Sequence, residues 1–268
     1  NDGTTPEKAF KTLKRTFEAI GNQAGTNGVL IYIVDTLDIT GGTSEPSDIQ
    51  LMNIKVYNSD GTSHYEGYYK DPGETVNIRG QVYFKRYSQP KGYAAADPVY
   101  DGFSNETLLD SLFYIGNGGK LTLSGIYLDG HSISSDSINP TLVAPAVVAQ
   151  APLITVKGSG VLQCYRAEGV SNGVPTATLF INNFNEKNKN GPEYIVGHLN
   201  DSDIMEGSSA GIELLDDGTC ILEYTEFSNL SLDDHVISGG TDVYSNGNLH
   251  FSRYTNFGGS VFLEGFGT

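Results

Sequence analysis

Residues 120–130 read KLTLSGIYLDG, and the placing of their apolar side chains decides the fold. Leu121 and Leu123 stand two apart, a three-residue step follows, and Ile126 and Leu128 form a second pair before Asp129-Gly130. Side chains two apart share one face of a strand, so the phrase describes a strand, a bend and another strand. The same offsets recur in CILEYTEFSN at 220–229, with Cys220, Leu222, Thr225 and Phe227. They recur again in LHFSRYTNFGG at 249–259, where Leu249, Phe251 and Tyr254 match and Phe257 falls one place late. Leu162 and Cys164, within VLQCYRAEG at 161–169, open a further copy. A unit of this size cannot bury its apolar face alone, whereas stacked copies bury a continuous core as coils of a solenoid. The uneven starts at 121, 162, 220 and 249 require loops between some coils.

Upstream, PEKAFKTLKRTFEAI at 6–20 is the one helical pattern, with Thr5 as cap, Pro6 in the first turn, and Phe10, Leu13, Phe17 and Ile20 on one face. The Gly-rich stretch from Gly21 to Gly28 ends it. The run VLIYIV at 29–34 predicts a strand buried on both faces. No later helical pattern follows, which excludes alternating βαβ units. Residues 41–115 depart from the repeat: Gly41-Gly42, Pro46, Pro72-Gly73, Pro90 and Pro98 separate strand-like pieces at 51–57 and 75–87. This predicts early coils with protruding loops or a β-hairpin excursion. The Asn-rich stretch 182–200 predicts a second insertion, and 140–152 a hydrophobic loop laid along the coils.

These N-terminal phrases, DGTTPEKAFKTLKRTFEAI and GVLIYIVDTLDIT, together with GGKLTLSGIYLDG, resemble bacterial right-handed parallel β-helix proteins of the pectin-lyase-like class. The resemblance covers residues 1–40 and 117–268. It implies an all-β right-handed parallel β-helix over 1–268, closed at its N-terminal end by the amphipathic helix, with Phe10, Leu13 and Phe17 as the plug. Such a plug hides core residues and blunts an edge open to aggregation. By resemblance the expected role is adhesion or glycan binding at a cell surface or outside the cell, without catalysis. A polysaccharide lyase or glycoside hydrolase acting on acidic polysaccharide, or a structural spacer of a larger surface protein, are the alternatives.

Composition narrows the partners. The chain has 268 residues with 33 glycines, 18% charged and 10% aromatic side chains, and no run long and apolar enough to span a membrane. It begins Asn1-Asp2-Gly3 without Met, which suggests a module excised from a longer chain and monomeric as such. Formal net charge is −16, of which residues 1–100 contribute −2 and residues 101–268 contribute −14. A surface this negative repels phosphate backbones, so nucleic acid is set aside. Cys164 and Cys220 read as two buried free thiols, with one disulfide in an oxidising compartment as the alternative.

For chemistry, the acidic cluster Asp233-Asp234-His235 with Arg253 downstream supplies the residues of an enzymatic alternative. Adjacent Asp side chains on a strand point to opposite faces, and a solvated turn or coil corner is the plainer reading of them. The five histidines show no metal-ligand spacing. Asp216, Asp217, Asp233 and Asp234 are the candidates for calcium, a hard cation taking oxygen ligands; no other cofactor is expected. The aromatic segment 57–100 departs most from core patterning. Its Tyr65, Tyr68, Tyr69, Tyr83 and Tyr87 are the candidate ligand-binding residues, since tyrosine offers an apolar ring for sugar stacking and a hydroxyl for a polar rim. The partner would be a polysaccharide, or a glycan or protein of a host or cell surface.

Overall fold

The computed structural model describes residues 1–21, 28–87, 111–130, 152–165, 173–175, 177–181, 211–228, 241–245, 247–251, 255–256 and 260–263. The chain is all-β, with strands taking 52% of these residues and little helix.

The strands fall into three sheets. Sheet A holds β1 (Val29–Ile33), β6 (Val82–Arg86), β9 (Tyr127–Asp129), β13 (Thr178–Ile181), β16 (Thr225–Ser228) and β19 (Thr255–Asn256), in that order and parallel throughout. Sheet B holds β2 (Leu37–Asp38), β7 (Phe113–Ile115), β10 (Ile154–Lys157), β14 (Ile212–Leu215), β17 (Thr241–Ser245) and β20 (Ser260–Leu263), again parallel. Sheet C is mixed. Its parallel part runs β18 (Asn248–Phe251), β15 (Thr219–Leu222), β11 (Val161–Cys164), β8 (Lys120–Ser124) and β3 (Asp48–Tyr57). Beyond β3 come the antiparallel β4 (Ser63–Lys70) and β5 (Thr75–Arg79), while β12 (Gly173–Pro175) pairs antiparallel with the far half of β3. Apart from β4, β5 and β12, which follow their predecessors within sheet C, successive strands fall in the order A, B, C, so each circuit adds one parallel strand to each sheet.

The repeat read from the sequence is the register of these circuits. Leu121, Leu162, Cys220 and Leu249 stand opposite one another on successive strands of sheet C, as do Leu123, Cys164, Leu222 and Phe251. Leu128, Phe180 and Phe227 do the same in sheet A. Phe180 and Phe227 stack at 4.9 Å between ring centroids. Leu121, Leu123, Ile126 and Leu128 are all fully buried. With the inward residues of sheet B, such as Phe113, Ile154 and Ile212, they form one hydrophobic cluster. Each such side chain contributes about 1.5–3 kcal/mol on burial. The three-residue step has a backbone cause: Gly125 (φ +66°) and Tyr224 (φ +51°) occupy equivalent places at the bend from sheet C to sheet A, both in the left-handed region.

In two places the register departs from the sequence reading. Thr255, not Tyr254, faces Thr225. The copy opened by Leu162 and Cys164 is completed only at Thr178 and Phe180, after an intervening excursion. At the corner from sheet B to sheet C, glycines 119, 160, 218 and 247 each begin the next strand at close quarters. A Cβ on Gly218 would lie 2.5 Å from the Val156 carbonyl oxygen of the neighbouring circuit.

The N-terminal pattern splits. Pro6–Lys8 is a single 3-10 turn, and the α-helix α1 is Leu13–Ile20. Thr12, not Thr5, caps it, its hydroxyl accepting from the Arg15 N–H at 3.3 Å. Leu13 and Phe17 are buried, whereas Phe10 precedes the helix and lies half-buried beside Arg15. Helix α1 packs on β4 and β5, with the Phe17 ring 5.7 Å from that of Tyr69. Strand β1 is buried on one face only: Ile31 and Ile33 point inward, while Leu30 and Tyr32 are each 47% exposed. It is the terminal strand of sheet A, and its outer face is left open to solvent. The segment 75–87 is not one strand, because Gly80 at φ +112° breaks it into β5 and β6.

The antiparallel excursion β3–β4–β5 is tied back to the circuit by one buried side chain. Asn53 lies opposite Gly67 on β4 and is fully buried. Its Nδ2 donates to the carbonyls of Val82 (2.8 Å) and Gly125 (2.9 Å), and its Oδ1 accepts from the Val82 N–H (2.8 Å). The side chain therefore fixes where the chain re-enters sheet A as β6. The stretches 140–151 and 182–200, expected to be a hydrophobic loop and an insertion, lie outside the described residues.

Candidate functional site

Alternation along the strands of sheet A sends one set of side chains into the core and the other to the outer face. The outer set is not the usual polar one. Leu30, Tyr83, Tyr127 and Leu179 stand opposite one another on β1, β6, β9 and β13, giving a row of four apolar or aromatic side chains across four strands. Beside it runs a second row, Tyr32, Lys85 and Asp129. Tyr87, just past β6, is held by its N–H on the Ile33 carbonyl at 2.8 Å and is 47% exposed.

These rings are fixed rather than loosely displayed. Tyr83 and Tyr127 meet edge to face at 5.2 Å and 73°, and Tyr32 and Tyr87 at 5.9 Å and 86°. The Tyr83 hydroxyl donates to Gln81 Oε1 at 2.8 Å. Burial raises the Tyr83 and Tyr127 phenols above their ordinary range, so both are neutral donors near neutral pH. Lys85 Nζ lies 3.3 Å from Asp129 Oδ2, a half-shielded ion pair at the centre of the face. An open apolar surface with a small polar centre and pre-placed rings is suited to binding rather than bond breaking.

No family model, no curated protein and no solved structure matches this chain.

The five tyrosines read from the sequence do not share one surface. Tyr83 and Tyr87 belong to the outer face of sheet A. Tyr69 is fully buried: its ring packs on Phe17 and its hydroxyl donates to Asp71 Oδ2 at 3.0 Å, so it is a core residue and no ligand can reach it. Burial, with Asp71 beside it, pushes the Tyr69 phenol up. Tyr65 and Tyr68 lie on opposite faces of β4. Tyr65 shares its face with Lys55, whose ammonium lies 5.5 Å from the Tyr57 ring and 6.0 Å from the Tyr65 ring. Tyr68 faces the other way, bonded to Glu66 Oε2, while Glu66 Oε1 meets His64 Nε2 at 2.9 Å. Partial burial and then Glu66 push the Tyr68 phenol up to about 12. Burial works against the Glu66 carboxylate, yet the Tyr68 and His64 bonds outweigh it and hold its pKa below the ordinary value. The row pairs Glu66 with both neighbours and leaves His64 Nδ1 buried without a hydrogen-bond partner.

Asp216 and Asp217 occupy the exposed turn before β15, and Asp216 Oδ2 lies 3.7 Å from Lys157 Nζ. Asp216 also takes a left-handed φ of +54°. Among the described residues no three of His, Cys, Asp and Glu converge as a metal ion would require. Asp233, Asp234, His235 and Arg253 lie outside the described residues. Cys164 and Cys220 are free and buried, and burial pushes the Cys164 thiol up to about 12 and Cys220 well above its ordinary value. No helix among the described residues is long and apolar enough to cross a membrane.

Tyr32 and Tyr127 escaped the sequence reading. Tyr127 sits between the inward Ile126 and Leu128, so the repeat's own phase marks it as outward. Tyr32 alternates with Ile31 and Ile33, but the continuous apolar run at 29–34 hid that alternation.

Proposed function

We propose that the chain forms a right-handed parallel β-helix, pectin-lyase-like in architecture, and serves outside the cell or on its surface as a non-catalytic glycan-binding module. Support for the architecture comes from the recurrent A, B, C order of strands, the in-register ladders and helix α1 packed at the N-terminal end. The observation that carries the function is the outer row Leu30, Tyr83, Tyr127 and Leu179, flanked by Tyr32 and Tyr87. Tyr32 and Tyr87 are each 47% exposed while Tyr83 and Tyr127 are half-buried, and ring faces beside polar groups are what sugar rings stack against.

The test is retention of the purified chain on immobilised polysaccharides, with wild type compared against the Tyr83→Ala/Tyr127→Ala double variant. Wild type is expected to bind at least one polymer, and the double variant to lose about tenfold or more in affinity with an unchanged circular dichroism spectrum. Should the double variant fold poorly, Tyr32→Ser/Tyr87→Ser replaces it, since both side chains are 47% exposed. Binding that both variants retain would remove this face from the site. Shortened oligosaccharide products would replace binding by catalysis.

A further inference from the structure

Resting on the glycan-binding reading, we infer that the ligand is a neutral polysaccharide lying across the strands of sheet A, along the row from Leu30 to Leu179. The direction follows from spacing. Adjacent strands lie about 4.8 Å apart, so four strands carry the row over about 14 Å. One step is close to the length of one pyranose ring, so a polymer lying across the strands meets an equivalent side chain at each sugar. A polymer lying along a strand would meet one outward side chain every second residue, about 6.6 Å apart, and would pass from Tyr83 to Lys85, leaving the row after one contact.

The neutral character follows from the charges on the face. Lys85 is its one cation among the described residues, and Asp129 holds it at 3.3 Å. Past Leu179 the row continues to a carboxylate, because Leu179 stands opposite the exposed Glu226. Residues 101–268, which supply β9 onward, carry a net −14. A polyuronate would bring carboxylates onto a face already holding Asp129 and Glu226, with Lys85 already engaged, and repulsion opposes that. A polycation would be drawn by the charge, yet it would have to bury its ammonium groups against Leu30, Tyr83, Tyr127 and Leu179, and Asp129 is already paired. Neutral hydroxyls suit the site. They donate to Asp129 and accept from Lys85 without carrying charge, while the apolar face of a sugar rests on a Tyr83 or Tyr127 ring. Because those two rings meet at 73°, the pair offers one ring face and one edge, so one stacked sugar per pair is the geometry expected.

The experiment uses the full chain and four immobilised probes: a neutral β-glucan, a neutral mannan, polygalacturonate, and chitosan as a polycation, each at low and high salt. The expected result is retention on a neutral polymer with affinity unchanged by salt, reduced about tenfold or more in Tyr83→Ala/Tyr127→Ala. Retention on polygalacturonate or chitosan that high salt abolishes would overturn the neutral class and leave glycan binding standing. No retention on any probe would overturn both. Salt-independent binding to a neutral polymer that Tyr83→Ala/Tyr127→Ala leaves intact would keep the ligand class but move it off this row.

Discussion

Replacing Asn53 by Ala tests whether one buried amide holds the antiparallel excursion onto the parallel circuits. Asn53 is fully buried and makes three hydrogen bonds of 2.8–2.9 Å, two to Val82 and one to Gly125. Each bond contributes about 1 kcal/mol net, and an orphaned buried backbone group costs about 1–3 kcal/mol. Alanine removes all three bonds and strands one N–H and two carbonyls, so the loss is about 3–5 kcal/mol, the lower figure if water enters the space. Urea unfolding followed by circular dichroism measures it, as a fall in midpoint at constant m-value. Asn58→Ala is the control: Asn58 is exposed and bonds Thr62 within its own turn, so its cost is expected within about 0.5 kcal/mol. Asn53→Ala also has a functional reading, because Val82 opens β6, which carries Tyr83 and Lys85; glycan retention is expected to fall with stability. A loss below about 1 kcal/mol for Asn53→Ala would refute the assignment of Asn53 as the tie between excursion and circuit.

Two further outcomes follow from buried positions. Glu45 is buried, accepts one bond from the Leu13 N–H at 2.8 Å, and burial raises its carboxyl from 4.5 to about 7. Below pH 4.5 folded and unfolded chains both hold the proton; between 4.5 and about 7 only the folded chain does, so stability falls as pH rises through that window and then levels. Glu45→Gln keeps the acceptor for Leu13 and removes the charge, so its melting temperature is expected to exceed wild type above about pH 7, by a free energy of up to about 3 kcal/mol; parallel pH profiles for the two proteins would contradict this. Gly218→Ala places a methyl 2.5 Å from the Val156 carbonyl oxygen and 3.1 Å from that of Leu215. Both obstacles are backbone, so a cost of about 1–3 kcal/mol is expected, read as a lowered melting temperature, and an unchanged one would show that the corner can open.

The sequence by itself determined the strand phase, because inward and outward residues alternate with a period the chain cannot escape. Leu121, Leu123, Ile126 and Leu128, and their counterparts at Cys220, Leu222, Thr225 and Phe227, are inward as that phase requires. The helix near the N-terminus was legible for a similar local reason, whereas the free state of Cys164 and Cys220 came only with the structure. What the phase could not supply is which strand lies beside which. Thr178 and Phe180 complete the copy begun at Leu162 and Cys164 although an excursion separates them, and only in-register pairing with Thr225 and Phe227 shows it. The tyrosines make the same point. Tyr65, Tyr68, Tyr69, Tyr83 and Tyr87 are near neighbours along the chain, yet Asn53 and the β4–β5 fold-back divide them among the core, two faces of β4 and the outside of sheet A. The row Leu30, Tyr83, Tyr127 and Leu179 draws on residues spread over 150 positions. A surface of that kind exists only once parallel strands are stacked, because each strand contributes one side chain per row and the hydrogen-bond register alone chooses which.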